Sequence, residues 1–150
     1  MRPVTNLIAA TAAVLLLLSA VATAHETAKL KDANIVFETE GKNKSAGTRV
    51  IVEVYCRDGS VAARNTPVQT YGKFEHFTKS APIGLVVDPS KAKREIRGGY
   101  FLIRIEPVSH ETWTFNYVLT LNFDDGSHLV YGQLNRKVTQ DDPTVRGTNL

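Results

Sequence analysis

The segment "HETWTFNYVLTLNFDDG", from His110 to Gly126, carries an aromatic ring or a leucine at every second position. Successive side chains of a β-strand point to opposite faces, so all six apolar side chains would lie on one face. Burying each contributes about 1.5–3 kcal/mol, whereas an exposed row would promote aggregation. The row therefore predicts a central strand facing the core through Trp113, Phe115, Tyr117, Leu119, Leu121 and Phe123.

The rest of the chain shows the same period of two, and turn signals separate the apolar runs at intervals of roughly ten residues. This pattern predicts an all-β fold, an antiparallel β-sandwich of about seven to eight strands, in one domain over 25–138. "DPSKAKREIRGG" interrupts the strands with one short helical turn. The apolar pattern stops at 139, so a flexible tail is expected over 139–150. The third strand is expected from Ser60 toward Gln69.

The first 24 residues have the pattern of a secretory signal peptide. Arg2 precedes an apolar stretch that is short for a bilayer span, and no second candidate span follows. The mature chain is therefore expected to be exported, to a periplasmic or extracellular location. Cleavage after Ala24 would leave His25 as the first residue, whereas cleavage after Ala22 would leave Thr23.

Composition excludes several classes of function. The formal net charge of +3, to which the leader adds only Arg2, is too small to indicate nucleic-acid binding. Cys56 is the only cysteine, so no intramolecular disulfide can form, and its register with neighbouring valines predicts a buried thiol. No GxSxG, HExxH or CxxC motif is present, which favours a non-catalytic protein.

Alternating strand directions would sort the loops to two ends of the fold. One end, the loop end, would collect Thr39–Gly47, Tyr71–Pro82 and Pro107–Glu111. The other, the turn end, would collect the mature N-terminus, Asp58-Gly59, the basic run around Lys91–Arg97 and the turn Asp124–Gly126.

"GTRVIVEV" and "ETWTFNYVLTLNFDDG" resemble the strand pattern of small secreted PLAT-type or C2-like sandwiches over about residues 28–135. The resemblance implies calcium in acidic loops that contact lipid or protein, and here it would place Glu40 and Glu111 at that site. The loop instead reads "EGKNKSAG", and its lysines Lys42 and Lys44 oppose a divalent cation. Calcium binding is therefore expected to be weak or absent, and calcium addition should barely move the melting temperature.

The favoured hypothesis is an exported, non-catalytic module that binds a protein, lipid or polysaccharide surface through its loop end. The candidate contact residues there are Glu40, His110, Glu111 and Trp113. A structural surface component with no ligand stays open as an alternative.

Two further hypotheses concern the turn end. A mature N-terminal His25 could chelate copper through its amine and imidazole, with His128 completing the site of a copper-binding protein or copper oxidative enzyme. The basic run could contact an anionic partner, or it could be an ordinary solvated loop. Its candidate residues are Lys91, Lys93, Arg94 and Arg97.

Overall fold

The computed structural model describes residues 25–150, so the proposed signal peptide lies outside the described residues. Within residues 25–150, eight strands follow one another, and a short helix lies between the fourth and fifth. The elements are β1 Leu30–Thr39, β2 Arg49–Tyr55, β3 Val61–Arg64, β4 Ile83–Val87, α1 Lys93–Ile96, β5 Tyr100–Glu106, β6 Thr112–Phe123, β7 His128–Thr139 and β8 Thr144–Thr148. The predicted all-β fold and the helical turn are confirmed.

All neighbouring strands are antiparallel, and they form one continuous sheet in the order β7-β6-β1-β4-β3-β2-β5-β8. The halves β7-β6-β1-β4 and β3-β2-β5-β8 face one another across a single core. The rings of Phe101 on β5 and Tyr117 on β6, for example, meet edge to face at 5.5 Å. The sheet nearly closes on itself, because β7 and β8, its two edge strands, are joined by a turn in which Thr139 donates to the carbonyl of Asp142.

The alternating row on β6 faces the core as predicted. Each of its six apolar side chains is at most 3% exposed. The rings of Trp113 and Phe115 stack at 4.1 Å, and Phe37 on β1 packs against both. Cys56 is also buried, as its register predicts, and burial raises the pKa of its thiol.

The expected flexible tail over 139–150 is wrong. The end of the chain forms β8, which pairs with β5 from Tyr100↔Thr148 to Arg104↔Thr144. Gly147 faces the core so closely that a Cβ there would lie 2.1 Å from the ring of Phe101. The strand gives no apolar alternation because one of its two inward positions must be glycine.

The third strand is shorter than expected, since β3 ends at Arg64 instead of continuing toward Gln69. The amide of Asn65 replaces regular pairing there: its Oδ1 accepts from Val52 N at 2.7 Å and its Nδ2 donates to Val50 O at 2.7 Å. The chain then leaves the sheet and returns to β2 only at an isolated bridge between Gln69 and Val50. This early ending leaves a gap beside β4.

Candidate functional site

The three loops that the strand alternation assigned to the loop end do meet there. The loop after β1 pairs with the loop after β3 through reciprocal backbone bonds between Lys44 and Phe74, of 3.2 and 3.1 Å. It also contacts the connection before β6, where Glu111 accepts hydrogen bonds from Ser45 N and from the Thr48 hydroxyl.

A buried lysine holds these loops together. The side chain of Lys44 is fully buried, and its Nζ lies 4.8 Å from the centre of the Phe74 ring. Four backbone carbonyls lie within hydrogen-bonding distance of the ammonium, at 2.9 Å for Ser45, 2.9 Å for Thr48, 2.7 Å for Thr70 and 2.6 Å for Gly72, so its three N–H groups are shared among four acceptors. Lys44 therefore ties two loops to one point, which we call the Lys44 clamp.

The charge of the clamp depends on its surroundings. Burial lowers the pKa of Lys44 from 10.5 to about 8, because the charged form loses its hydration, and nearby Glu111 partly opposes this by favouring the ammonium. The lysine is therefore still mainly protonated at neutral pH. The carbonyls take the place of water around the ion.

A cavity lies against this clamp, with Phe74 in its lining. It has a volume of about 470 Å³ and opens where β3 leaves the sheet and β4 continues. We call it the β4 cleft. Its walls are the segment after β3 and the segment leading into β4, and they contain Thr66, Pro67, Gln69, Tyr71, Lys73, Phe74, Thr78, Lys79, Ser80, Ala81, Pro82, Ile83 and Gly84.

The lining of the β4 cleft combines an apolar floor with a polar, basic rim. Phe74 and Ile83 belong to the hydrophobic core, and Tyr71 packs against it. Lys73 and Lys79 are the charged residues of the lining, which contains no carboxylate. Lys73 is paired with Glu75 at 2.9 Å, whereas none of the ion pairs among residues 25–150 involves Lys79. The cleft is therefore suited to an uncharged or negatively charged ligand.

The four candidate contact residues at the loop end occupy three different environments. His110 and Glu111 line a smaller polar hollow of about 380 Å³, together with Lys42, Asn43 and Lys73. Glu40 lies outside that hollow and accepts a hydrogen bond from Asn116 Nδ2. Trp113 as a surface contact is wrong, because it is fully buried and its indole N–H donates to the hydroxyl of Thr39 at 3.1 Å.

The basic run at the turn end does not form one patch. Lys93 as an anion contact is wrong, because it is buried, with its Nζ 5.3 Å from the centre of the Phe123 ring and 3.1 Å from the Ser127 hydroxyl. Arg97 is paired with Glu26. Of the other two residues, Lys91 is half-buried and Arg94 is exposed.

The two histidines of the copper hypothesis lie at the same end, as predicted. His25 Nδ1 pairs with the carboxylate of Asp125, one turn before His128 at the start of β7. No group of three or more His, Cys, Asp or Glu side chains in residues 25–150 is arranged to hold a metal ion. The copper site therefore stays a prediction, as does its dependence on signal cleavage.

Sequence reasoning missed the clamp and the cleft. It treated Lys44 only as a loop charge that opposes calcium, since no local pattern distinguishes a lysine whose ammonium will be surrounded by backbone carbonyls. The cleft depends on where β3 stops, which is set by the side-chain bonds of Asn65. Gly84 on β4 was the one local signal of the cleft, because a glycine within a strand permits close approach of a ligand or of another backbone segment.

No protein-family model, curated protein or solved structure matches the chain. Within residues 25–150, no helix has the length and apolar character required to cross a bilayer.

Proposed function

We propose that this protein is an exported, non-catalytic binding module, and that the β4 cleft at its loop end is the binding site. The observation that carries the proposal is a cavity of about 470 Å³ with an apolar floor and polar rim, the usual composition of a ligand site. We propose export because the first 24 residues have the sequence pattern of a signal peptide. The resemblance to PLAT-type and C2-like domains, which also bind through loops at one end, agrees with this function.

The rigidity of one wall supports binding at this site. Tyr71 lies between Thr70 and Gly72, whose carbonyls are bonded to the ammonium of the Lys44 clamp. The side chain of Tyr71 is also fixed, because its hydroxyl accepts a hydrogen bond from Asn65 Nδ2 at 2.9 Å. Tyr71 also has a positive φ of 54°. A preformed wall reduces the ordering cost of binding, which explains why a buried charge at this position is useful.

Gly84 permits a direct test, because a Cβ added there meets no atom within 4 Å and its φ is not positive. Gly84→Trp should fill the cleft without disturbing the fold. Val86→Trp is the matched control: Val86 is the next exposed position on the same strand, is 57% exposed and does not line the cleft.

The experiment screens the purified mature protein against a display library of short peptides and a panel of neutral and acidic oligosaccharides. The proposal expects binders that Gly84→Trp abolishes and Val86→Trp leaves unchanged. Binding that survives Gly84→Trp would move the site elsewhere, and the absence of any binder in either panel would overturn the function.

A further inference from the structure

The β4 cleft exposes an unpaired stretch of sheet edge. On β1, odd-numbered residues direct their backbone groups toward β4: Thr39 N donates to Thr78 O at 2.9 Å, and Phe37 O accepts from Ser80 N at 2.7 Å. Ala33 and Ile35 continue this parity and are opposite Leu85 and Ile83. Leu85 and Ile83 therefore use their backbone groups on β1, and Gly84 between them directs its N–H and C=O to the other edge.

That other edge is covered by β3 only in part. The β3–β4 ladder consists of Ala63↔Val87 and Arg64↔Val86, and Asp88 N continues it by donating to Ala62 O at 2.8 Å. Beyond Arg64 the chain departs from the sheet, so the register has no partner opposite Gly84. Gly84 is itself exposed, and it carries no side chain to obstruct a ligand.

We infer that the β4 cleft binds an extended peptide segment bearing an acidic side chain, which adds as a short strand to the free edge of β4 at Gly84. This inference rests on the proposed function of the cleft. In an extended peptide, a backbone C=O can accept from Gly84 N–H while a backbone N–H donates to Gly84 C=O. The side chains of such a peptide point alternately to the two faces of the sheet.

The surroundings of Gly84 fit the side chains of such a segment. An apolar side chain directed inward would meet the floor formed by Phe74 and Ile83. An acidic side chain directed to the rim would meet Lys79, which has no ion pair among the described residues. Pro82 precedes β4 and lacks an N–H, so the free edge is short and limits addition to a few residues.

The test uses a capped pentapeptide that alternates valine and glutamate, measured by chemical-shift perturbation of the labelled mature protein. Shifts should centre on Gly84 and on the segment 66–69. N-methylation of the central amide should weaken binding about tenfold, because one strand hydrogen bond is lost. Glutamine in place of glutamate, and separately Lys79→Ala, should each weaken it several-fold and remove most of its salt dependence.

The controls separate this inference from the function on which it rests. An acidic oligosaccharide is tested in parallel, with Gly84→Trp and Val86→Trp. If the oligosaccharide binds in a manner sensitive to Gly84→Trp and the peptide does not bind, the cleft is a ligand site and strand addition is overturned. Equal affinity of the N-methylated peptide would also overturn it. If neither probe binds and the screen above is empty, the function itself fails.

Discussion

The hairpin turns of the turn end are closed by local hydrogen bonds, whereas the loops of the loop end are closed by side chains from distant parts of the chain. The turn end has long-range contacts as well, such as His25 with Asp125 and Arg97 with Glu26, but these do not close its turns. At the turn end, three turns share one local pattern, in which an aspartate Oδ1 accepts from both the amide and the hydroxyl of a serine two residues later. The pairs are Asp58 with Ser60, Asp88 with Ser90 and Asp125 with Ser127, at 2.9 Å to each amide and 2.6–2.7 Å to each hydroxyl.

At the loop end, side chains connect residues that are far apart in the chain. Lys44 reaches Thr70 and Gly72, and Trp113 bonds to Thr39, 74 positions away. Each such contact fixes the relative position of two segments, which a turn closed within three residues cannot do. The difference indicates that local chemistry is enough to end a hairpin, whereas shaping a cleft requires long-range side-chain anchors.

The largest expected effect that would test this comparison is the loss of the Lys44 clamp. Lys44→Met keeps much of the side chain but leaves buried carbonyls without a donor, so the free energy of unfolding should fall by about 3–5 kcal/mol. Urea denaturation at pH 7 measures it. The loop end should also lose its rigid cleft wall.

Lys93→Met is the matched control, because Lys93 is the other buried lysine and lies at the turn end. Its ammonium has one hydroxyl partner, Ser127, and lies over the ring of Phe123. Methionine removes one hydrogen bond and this cation–π contact, so a loss of about 1–2 kcal/mol is expected. Similar losses for the two variants would contradict the special role of the clamp.

A second effect of the clamp appears as pH dependence. The pKa of Lys44 is about 8 in the folded protein against 10.5 for the free side chain, so between these values the unfolded chain holds more protons. Stability then rises with pH. The difference in free energy of unfolding between wild type and Lys44→Met should therefore widen from pH 8 to 10.5, by at most about 3.5 kcal/mol at about 1.4 kcal/mol per pKa unit.

Urea denaturation at constant ionic strength, in half-unit steps of pH, measures this difference. Comparison with Lys44→Met cancels the contributions of other groups that titrate at high pH, including Tyr117 and Tyr131, whose pKa values burial raises. A gap that narrows above pH 8 would show that the carbonyls and Glu111 hold the ammonium more strongly than burial disfavours it.

The same division explains what could be predicted from the sequence. The burial of the apolar row on β6 could be predicted because an alternation of period two is visible in the local sequence. The order of such strands also predicts which loops lie at each end of the fold. β8 has no such pattern, since Gly147 occupies an inward position to admit the ring of Phe101. Within the candidate site, His110 and Glu111 were placed at the correct end. The roles of Lys44 and Asn65 depend on backbone partners 13 to 28 residues away, and the role of Gly84 depends on where β3 ends; no local spacing indicates either.

The smallest expected effect concerns the Asp–Ser turns of the turn end, whose closing hydrogen bonds are local. The pKa of the Asp88 carboxyl lies below its ordinary range, first because the Ser90 hydroxyl and then because the Ser90 amide stabilises the carboxylate; Asp58 is shifted the same way by Ser60. Such a depressed pKa contributes stability above about pH 4 that is lost as pH falls through the folded value. NMR titration of the side-chain carboxyls should show Ser90→Ala raising the pKa of Asp88 and leaving Asp58 unchanged. A shift at both aspartates would mean that the turns are coupled through the fold, and the contrast between locally closed turns and loops held by long-range side chains would no longer hold.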